Sequence, residues 1–302
     1  MDTAKAGKVR SRLVAQDFNT DKGKVAELCA AIPPLLAARW LCSRAASQGE
    51  NCMGPLILMT LDFSKAFLYG NVDREVYIEL PDEDARKHQS DCVGKLIRSM
   101  YGLRDSPQIW QRVVRSLLVP MGYKPLLGTQ CMYAHPELNI VIAAHVDDFL
   151  VLGTEDQLRD LIKELQVNYE CSGQVLGIHE GCQPELICLG RTITLTPDGI
   201  EWEGDKRHVE TFLTKLAEEF TDVEDNKKSQ WSGAKTPGVK VDVVPERISL
   251  DKDKGKAYRG LAALANFMAQ DRAVIGFAAK EFSKSISDPA ISQFVPLKRL
   301  GL

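Results

Sequence analysis

Between Asn139 and Gly153 the chain reads Ile140-Val-Ile-Ala-Ala-His-Val146, then Asp147-Asp148, then Phe149-Leu-Val-Leu152. No other feature restricts the fold as much. Apolar runs of this length suit buried strands, and the paired aspartates must interrupt them, so the segment predicts strand, tight turn, strand, with Asp147-Asp148 at the apex. Adjacent carboxylates in such a setting raise one another's pKa, and a divalent cation removes that penalty. A plain hairpin turn with two solvated aspartates satisfies the same letters. The most apolar stretch, roughly 138–152, carries both aspartates near its end, which excludes a membrane span.

A second strand-borne acid shifts the balance between those readings. Leu56-Ile-Leu-Met-Thr-Leu-Asp62 is a short apolar run ending on a carboxylate, followed by Phe63-Ser-Lys-Ala-Phe67 as a turn or short helix. Acidic sites at the ends of two strands can converge on a pair of Mg²⁺ or Mn²⁺ ions. Hard oxygen donors favour those ions over zinc. Such a pair serves nucleotidyl transfer, although the D…DD spacing has limited specificity by itself.

Around these strands the chain predicts a helix over about 25–47, interrupted near its start by Pro33-Pro34, a strand at Val76–Leu80, and a loop over 82–91. Ser106-Pro107 opens a helix whose Ile109, Trp110, Val113, Val114, Leu117 and Leu118 recur at the helical period. Thr154-x-x-Gln157 is a capping-box start for another. A hairpin is expected from Leu186–Leu195 and Ile200–Trp202, turned by Pro197-Asp198-Gly199, then a polar linker over 221–256 and a helical stretch over about 257–283. The order β, β, α, β-turn-β suits a palm-like α+β sheet with helices on one face and the carboxylates on the other.

Composition narrows the function classes. A net charge of −3 argues against a uniformly basic nucleic-acid binder, so any basic surface must be local. The cations of the first two dozen residues, among them Lys8, Arg10 and Arg12, are one such cluster. The eight cysteines form no C-x-x-C pair, which predicts reduced thiols in an intracellular protein, in cytoplasm or nucleus. MDTAKAGKVRSR lacks the apolar core of a secretion signal.

Leu61-Asp-Phe-Ser-Lys-Ala-Phe-Leu-Tyr-Gly-Asn71, followed by Glu75-Val-Tyr-Ile-Glu79, is similar to the LDVKTAFLNG…EEVYMEQP stretch of copia-type retrotransposon reverse transcriptases. Ser99-Met-Tyr-Gly-Leu-Arg-Asp-Ser-Pro-Gln-Ile-Trp110 resembles their SLYGLKQAPRAW, and Arg10-Ser-Arg-Leu-Val-Ala-Gln16 their KARLVAQ. His145-Val-Asp-Asp148 stands where they carry YVDD. Cys188-Leu-Gly190, Pro197–Ile200, Lys235-Thr-Pro237 and Tyr258–Asn266 continue in the same order, so the likeness runs along nearly the whole chain.

The resemblance implies an RNA-directed DNA polymerase with right-hand architecture: interleaved fingers and palm over 1–153, the end of the palm, a primer-positioning hairpin and the start of a thumb-like part over 154–220, the linker over 221–256, and a helical connection over 257–302. It implies that Asp62, Asp147 and Asp148 are catalytic, and that they hold two metal ions together with the Phe63 carbonyl. Arg12, Phe67, Tyr101 and Gly102 would bind the nucleotide, Phe67 rejecting a 2′-hydroxyl by its bulk, with Lys8 or Arg10 near the phosphates. Leu189 and Gly190 would position the primer. Partners would be an RNA or DNA template with its primer, and dNTPs. Ribonuclease H and integrase regions, expected elsewhere in a parent polyprotein, are not found, which suggests an excised or truncated segment.

His145 stands where the family has tyrosine, and the strand period places it on the face of Asp147. Asp17 stands where glycine is common. A catalytically silent remnant that at most binds nucleic acid is the alternative these departures support. An RRM-like module would need paired aromatics where this sheet offers aspartates.

Overall fold

The computed structural model describes residues 13–17, 30–47, 54–88, 92–220, 249–290, 297 and 300. Lys8, Arg10, Arg12, the Lys235-Thr-Pro237 motif and most of the expected linker lie outside the described residues.

Helix α1 spans Leu35–Ala46 and starts directly after Pro34, whose extended backbone (φ −61°, ψ 144°) fixes the N-cap. Of the helix expected over about 25–47, residues 25–29 lie outside the described residues, and the described part starts after the two prolines. Strand β1 is Ile57–Phe63. The strand expected over Val76–Leu80 shrinks to β2, Tyr77–Ile78, paired with β3, Gly94–Lys95. Within the expected loop, Ala85–His88 forms a short 3₁₀ turn. Helix α2 is Ser106–Leu118, with proline in its first turn.

Strands β4 (Lys124–Pro125), β5 (Met132–His135), β6 (Ile140–His145) and β7 (Asp148–Gly153) follow, then helix α3, Glu155–Gln166. Its capping box forms as the sequence predicts, with Thr154 and Gln157 bonded reciprocally. After β8, Cys171–Val175, the six strands form one sheet in the order β4-β5-β6-β7-β1-β8. β1 is thus inserted between β7 and β8, antiparallel to both.

Alternation along β1 assigns its faces. Met59, Leu61 and Phe63 join Ile142, Ala144, Phe149 and Val151 in a core closed by Trp110, Val114 and Leu118 of α2 and by Leu158, Leu161 and Leu165 of α3. Leu58, Leu150 and Leu152 point the other way and are also buried. Helix α1 lies against β1, β6 and β7. Helices therefore lie on both faces, a correction to the one-sided arrangement expected from the element order.

One long hairpin was expected between 186 and 202, and two occur. β9 (Glu185–Cys188) turns at Leu189-Gly190 into β10 (Arg191–Thr196), which turns again into β11 (Gly199–Gly204). Helices α4 (Lys206–Phe220), α5 (Lys252–Ala269) and α6 (Gly276–Ser283) complete the described chain. α5 starts five residues before the expected 257, because the Asp251 side chain caps it by accepting from the Asp253 and Lys254 amides. A 3₁₀ turn at Ala273–Ile275 breaks the single helix expected to 283.

The chain gathers into two compact units, residues 1–189 with 193–201, and residues 190–192 with 202–302. The second has its own core of Phe212, Leu216, Tyr258, Leu261 and Phe282. No described helix is long and apolar enough to cross a membrane.

Candidate active site

Asp62 and Asp148 are register partners across β1 and β7. The Phe63 amide donates to the Asp147 carbonyl at 3.3 Å, which makes Asp62 and Asp148 a non-hydrogen-bonded antiparallel pair. In such pairs the Cα atoms stand about 4.5 Å apart and the side chains leave the same face close together. Two of the three predicted carboxylates are therefore held side by side by the backbone ladder.

The turn between β6 and β7 consists of Val146 and Asp147. Its apex thus lies one residue earlier than expected, since Asp148 already belongs to β7. The two-residue turn also breaks the alternation, so His145 pairs with Asp148 across the hairpin and does not share a row with Asp147. His145, Asp148, Asp62 and Ser172 form one row across four strands.

Val146 adopts φ +54°, a conformation that β-branched residues strongly avoid. The Trp110 indole N–H donates to the Val146 carbonyl. Trp110 is buried and packs edge-on against Phe63, with ring centroids 5.2 Å apart. Phe63 in turn stacks at a tilt on Phe149, 5.0 Å away. The strained turn is thus braced by α2 and by the two residues that follow Asp62 and Asp148. This use of Trp110 was not legible from periodicity, which made it only a core residue.

Electrostatics follow from that packing. Asp148 has its pKa raised, first by burial and then by the charges of Asp147 and Asp62, with His145 opposing. Among these three aspartates, charge repulsion is resident in the protein fold. An open cleft of about 260 Å³ faces the row, lined by Thr60, Asp62, Asp148, Ser172, Gln174 and Cys188, among others. The Phe63 ring is buried beneath it.

The predicted nucleotide-pocket residues also meet one another. Phe67, in a 3₁₀ turn over Ala66–Tyr69, packs edge-on against Tyr101 with centroids 4.9 Å apart. Gly102 has φ +91°, and a Cβ there would lie 1.9 Å from the Ala15 carbonyl oxygen. The Ala15 amide donates to the Tyr101 carbonyl at 2.8 Å. Gly102 therefore serves the docking of segment 13–17. Asp17, the second departure, accepts from the Arg104 amide and pairs with Arg74, which also reaches Asp105 at 2.9 Å. Leu189 and Gly190 have φ of +51° and +70°, both residues of a tight turn directly after Cys188 of the cleft.

An antiparallel α+β sheet backed by helices, with aspartates on two central strands opening into one cleft, defines a polymerase palm of the right-hand class. The sequence profile described as "Reverse transcriptase (RNA-dependent DNA polymerase)" matches residues 1–178, more than half of the chain. The chain belongs to that family, and within it to the copia-type retrotransposon branch. It is 29% identical over 153 residues to the "Retrovirus-related Pol polyprotein from transposon TNT 1-94" of Nicotiana tabacum, covering 49% of this chain and 11% of that one. It is 28% identical over 106 residues to a putative Ty5-1 transposon protein of Saccharomyces cerevisiae, 34% of each chain. The chain thus spans about a tenth to a third of these curated relatives. Among solved structures, a foamy viral protease-reverse transcriptase in complex with double-stranded DNA aligns over 81% of this chain and 34% of that one, at 14% identity and a TM-score of 0.40.

Proposed function

We propose that the cleft at Asp62 and Asp148 is the catalytic centre of template-directed DNA synthesis, in which a primer 3′-hydroxyl attacks the α-phosphorus of a dNTP and pyrophosphate leaves. The observation that carries this is the non-hydrogen-bonded Asp62–Asp148 pair, with Asp147 on the adjoining turn.

The donor set fits two Mg²⁺ or Mn²⁺ ions. It is all oxygen, and desolvation, followed by the charges of Asp147 and Asp62, already holds a proton more tightly on Asp148 than an isolated aspartate would. Asp62 and Asp147 would bind the metals, with Asp148 and the Phe63 carbonyl in support. When bound, such ions lower the pKa of the attacking hydroxyl and offset charge on the phosphoryl oxygens.

The chain's own residues position the reactants. The Phe67 ring, backed by Tyr101, offers bulk where a 2′-hydroxyl would project. Tyr101 and Gly102 would border the nucleotide, as would Arg12. The Leu189-Gly190 turn, following a cleft residue, would hold the primer end. Fixing these groups before reaction supplies most of the acceleration in phosphoryl transfer. The partners are an RNA or DNA template with its primer, and dNTPs, in cytoplasm or nucleus.

Primer extension on an RNA template with Mg²⁺ and dNTPs tests the reading, beside an Asp147→Asn control. Extension by the parent protein that falls more than about a hundredfold in the control supports it. Equal failure of both, with template binding retained, points to the silent, nucleic-acid-binding remnant.

A further inference from the structure

A second group of ligand-type side chains lies at the other end of the palm sheet. Glu155 opens α3, and His179 and Cys182 belong to the loop between β8 and β9. One ligand atom from each lies within 4.8 Å of the others. Glu155 Oε2 is 2.9 Å from His179 Nε2, and Glu155 Oε1 is 3.7 Å from Cys182 Sγ. A tetrahedral Zn²⁺ with bonds of about 2.0–2.3 Å separates neighbouring ligand atoms by about 3.3–3.6 Å, so small side-chain shifts would complete it.

The backbone holds the two loop ligands in one turn. The Cys182 amide donates to the His179 carbonyl at 3.0 Å, and Gly181 takes φ +82°. Gly177 is pressed against Cys182, since a Cβ there would come within 2.9 Å of the Cys182 Cβ. The Gly177 and Gln183 amides tie the loop back to Gln183 and Val175 carbonyls. His179-x-x-Cys182 is thus a preformed two-ligand turn facing the first residue of a helix.

We propose that Glu155, His179 and Cys182 bind one borderline divalent cation of the Zn²⁺ kind, with water in the fourth position, joining the 176–183 loop to α3. One nitrogen and one sulfur donor among three favour Zn²⁺ over Mg²⁺. Arg159 is the group that opposes a cation, with its guanidinium on Glu155 Oε1 and 3.5 Å from Cys182 Sγ. It leaves Oε2 for the ion, and it partly offsets the desolvation and the Glu155 charge that raise the Cys182 pKa; on binding, the thiol proton passes to solvent. The site is separate from the catalytic aspartates. Gly153 pairs with Ile57, five residues along β1 from Asp62, a span of about 16 Å.

The test uses the full chain stripped with a chelator and titrated with Co²⁺ alone, then Zn²⁺. The expected result is a sulfur-to-cobalt charge-transfer band that saturates at one thiolate-bound Co²⁺ per chain, whatever further Co²⁺ the aspartates take up, and that Zn²⁺ displaces. Cys182→Ser should abolish the band, His179→Ala should weaken affinity at least about tenfold, and Asp62→Asn should leave both unchanged. No band in the parent protein, or a band that Cys182→Ser retains, overturns the proposal. If Cys182→Ser folds poorly, alkylation of Cys182 in the parent protein replaces it: Zn²⁺ should slow labelling, and unaltered labelling counts against the site.

Discussion

Asp62 and Asp148 stand opposite each other at a narrow, non-hydrogen-bonded position of the β1–β7 ladder, so their carboxylates share one face without any backbone bond between them. The ladder enforces a like-charge contact that packing alone would open. The Asp148 side chain opens to solvent in the cleft, and partial desolvation there, with the charges of Asp147 and Asp62, disfavours its ionised form.

Asp148→Asn should therefore stabilise the metal-free protein at neutral pH. The folded pKa of Asp148 lies above its unfolded value of about 3.9, so the folded state binds the proton more tightly. Parent stability from this group falls as pH rises from the unfolded toward the folded value, and the penalty is complete above the latter. Melting temperatures in EDTA should show the variant above the parent at pH 7 and the gap closing on acidification. Mg²⁺ should raise the parent more than the variant. A gap that widens toward acid would contradict the assigned electrostatics.

Trp110→Phe should loosen the turn that carries Asp147. The substitution keeps most of the buried ring but removes the donor to the Val146 carbonyl, at a residue already strained at φ +54°. Leaving that acceptor without its partner costs about 1–3 kcal/mol. Urea unfolding should register a loss in that range, and primer extension should decline severalfold with template affinity unchanged. A variant as stable and active as the parent would remove Trp110 from the site.

The elements legible in the sequence were those where pattern and environment agree. β1, β6 and β7 are short apolar runs, α2 has its apolar set at the helical period, and α3 has a capping box. The convergence of Asp62 with the Asp147–Asp148 hairpin was suggested by acids at two strand ends and gained specificity only from the family resemblance. Register depends on β1 entering between β7 and β8, which no local pattern encodes. The Leu189 turn escaped as a chain reversal because leucine at φ +51° carries no turn signature. The shift of His145 to the Asp148 row followed from a two-residue turn that cannot be counted from composition.

Gly102→Ala should displace the segment that precedes the first palm strand. The added methyl meets the Ala15 carbonyl at 1.9 Å, and a non-glycine residue in the left-handed region costs a further 1–2 kcal/mol or so. Hydrogen exchange at the Ala15 amide, now bonded to the Tyr101 carbonyl, should accelerate. If Tyr101 and Phe67 border the nucleotide, KM for dNTP should rise more than kcat falls. Protection of Ala15 unchanged by the substitution would disprove the close approach.

Asp271→Ala should unfold the second unit with little effect on the first. Arg191 and Asp271 form an ion pair at 3.0 Å, with side chains 8% and 5% exposed. Asp271 also accepts from the Trp202 indole at 3.0 Å, so one carboxylate anchors the start of β10 and the end of β11 to the turn after α5. Removing it takes an ion-pair partner from a buried guanidinium, which costs about 3–5 kcal/mol, whereas replacing both partners with apolar residues can be neutral. The Arg191→Met, Asp271→Leu double variant should accordingly recover much of the stability that Asp271→Ala loses. Limited proteolysis should cut the single variant first within 202–302 and spare the palm sheet. Equal stability of single and double variants would show that the pair contributes packing alone.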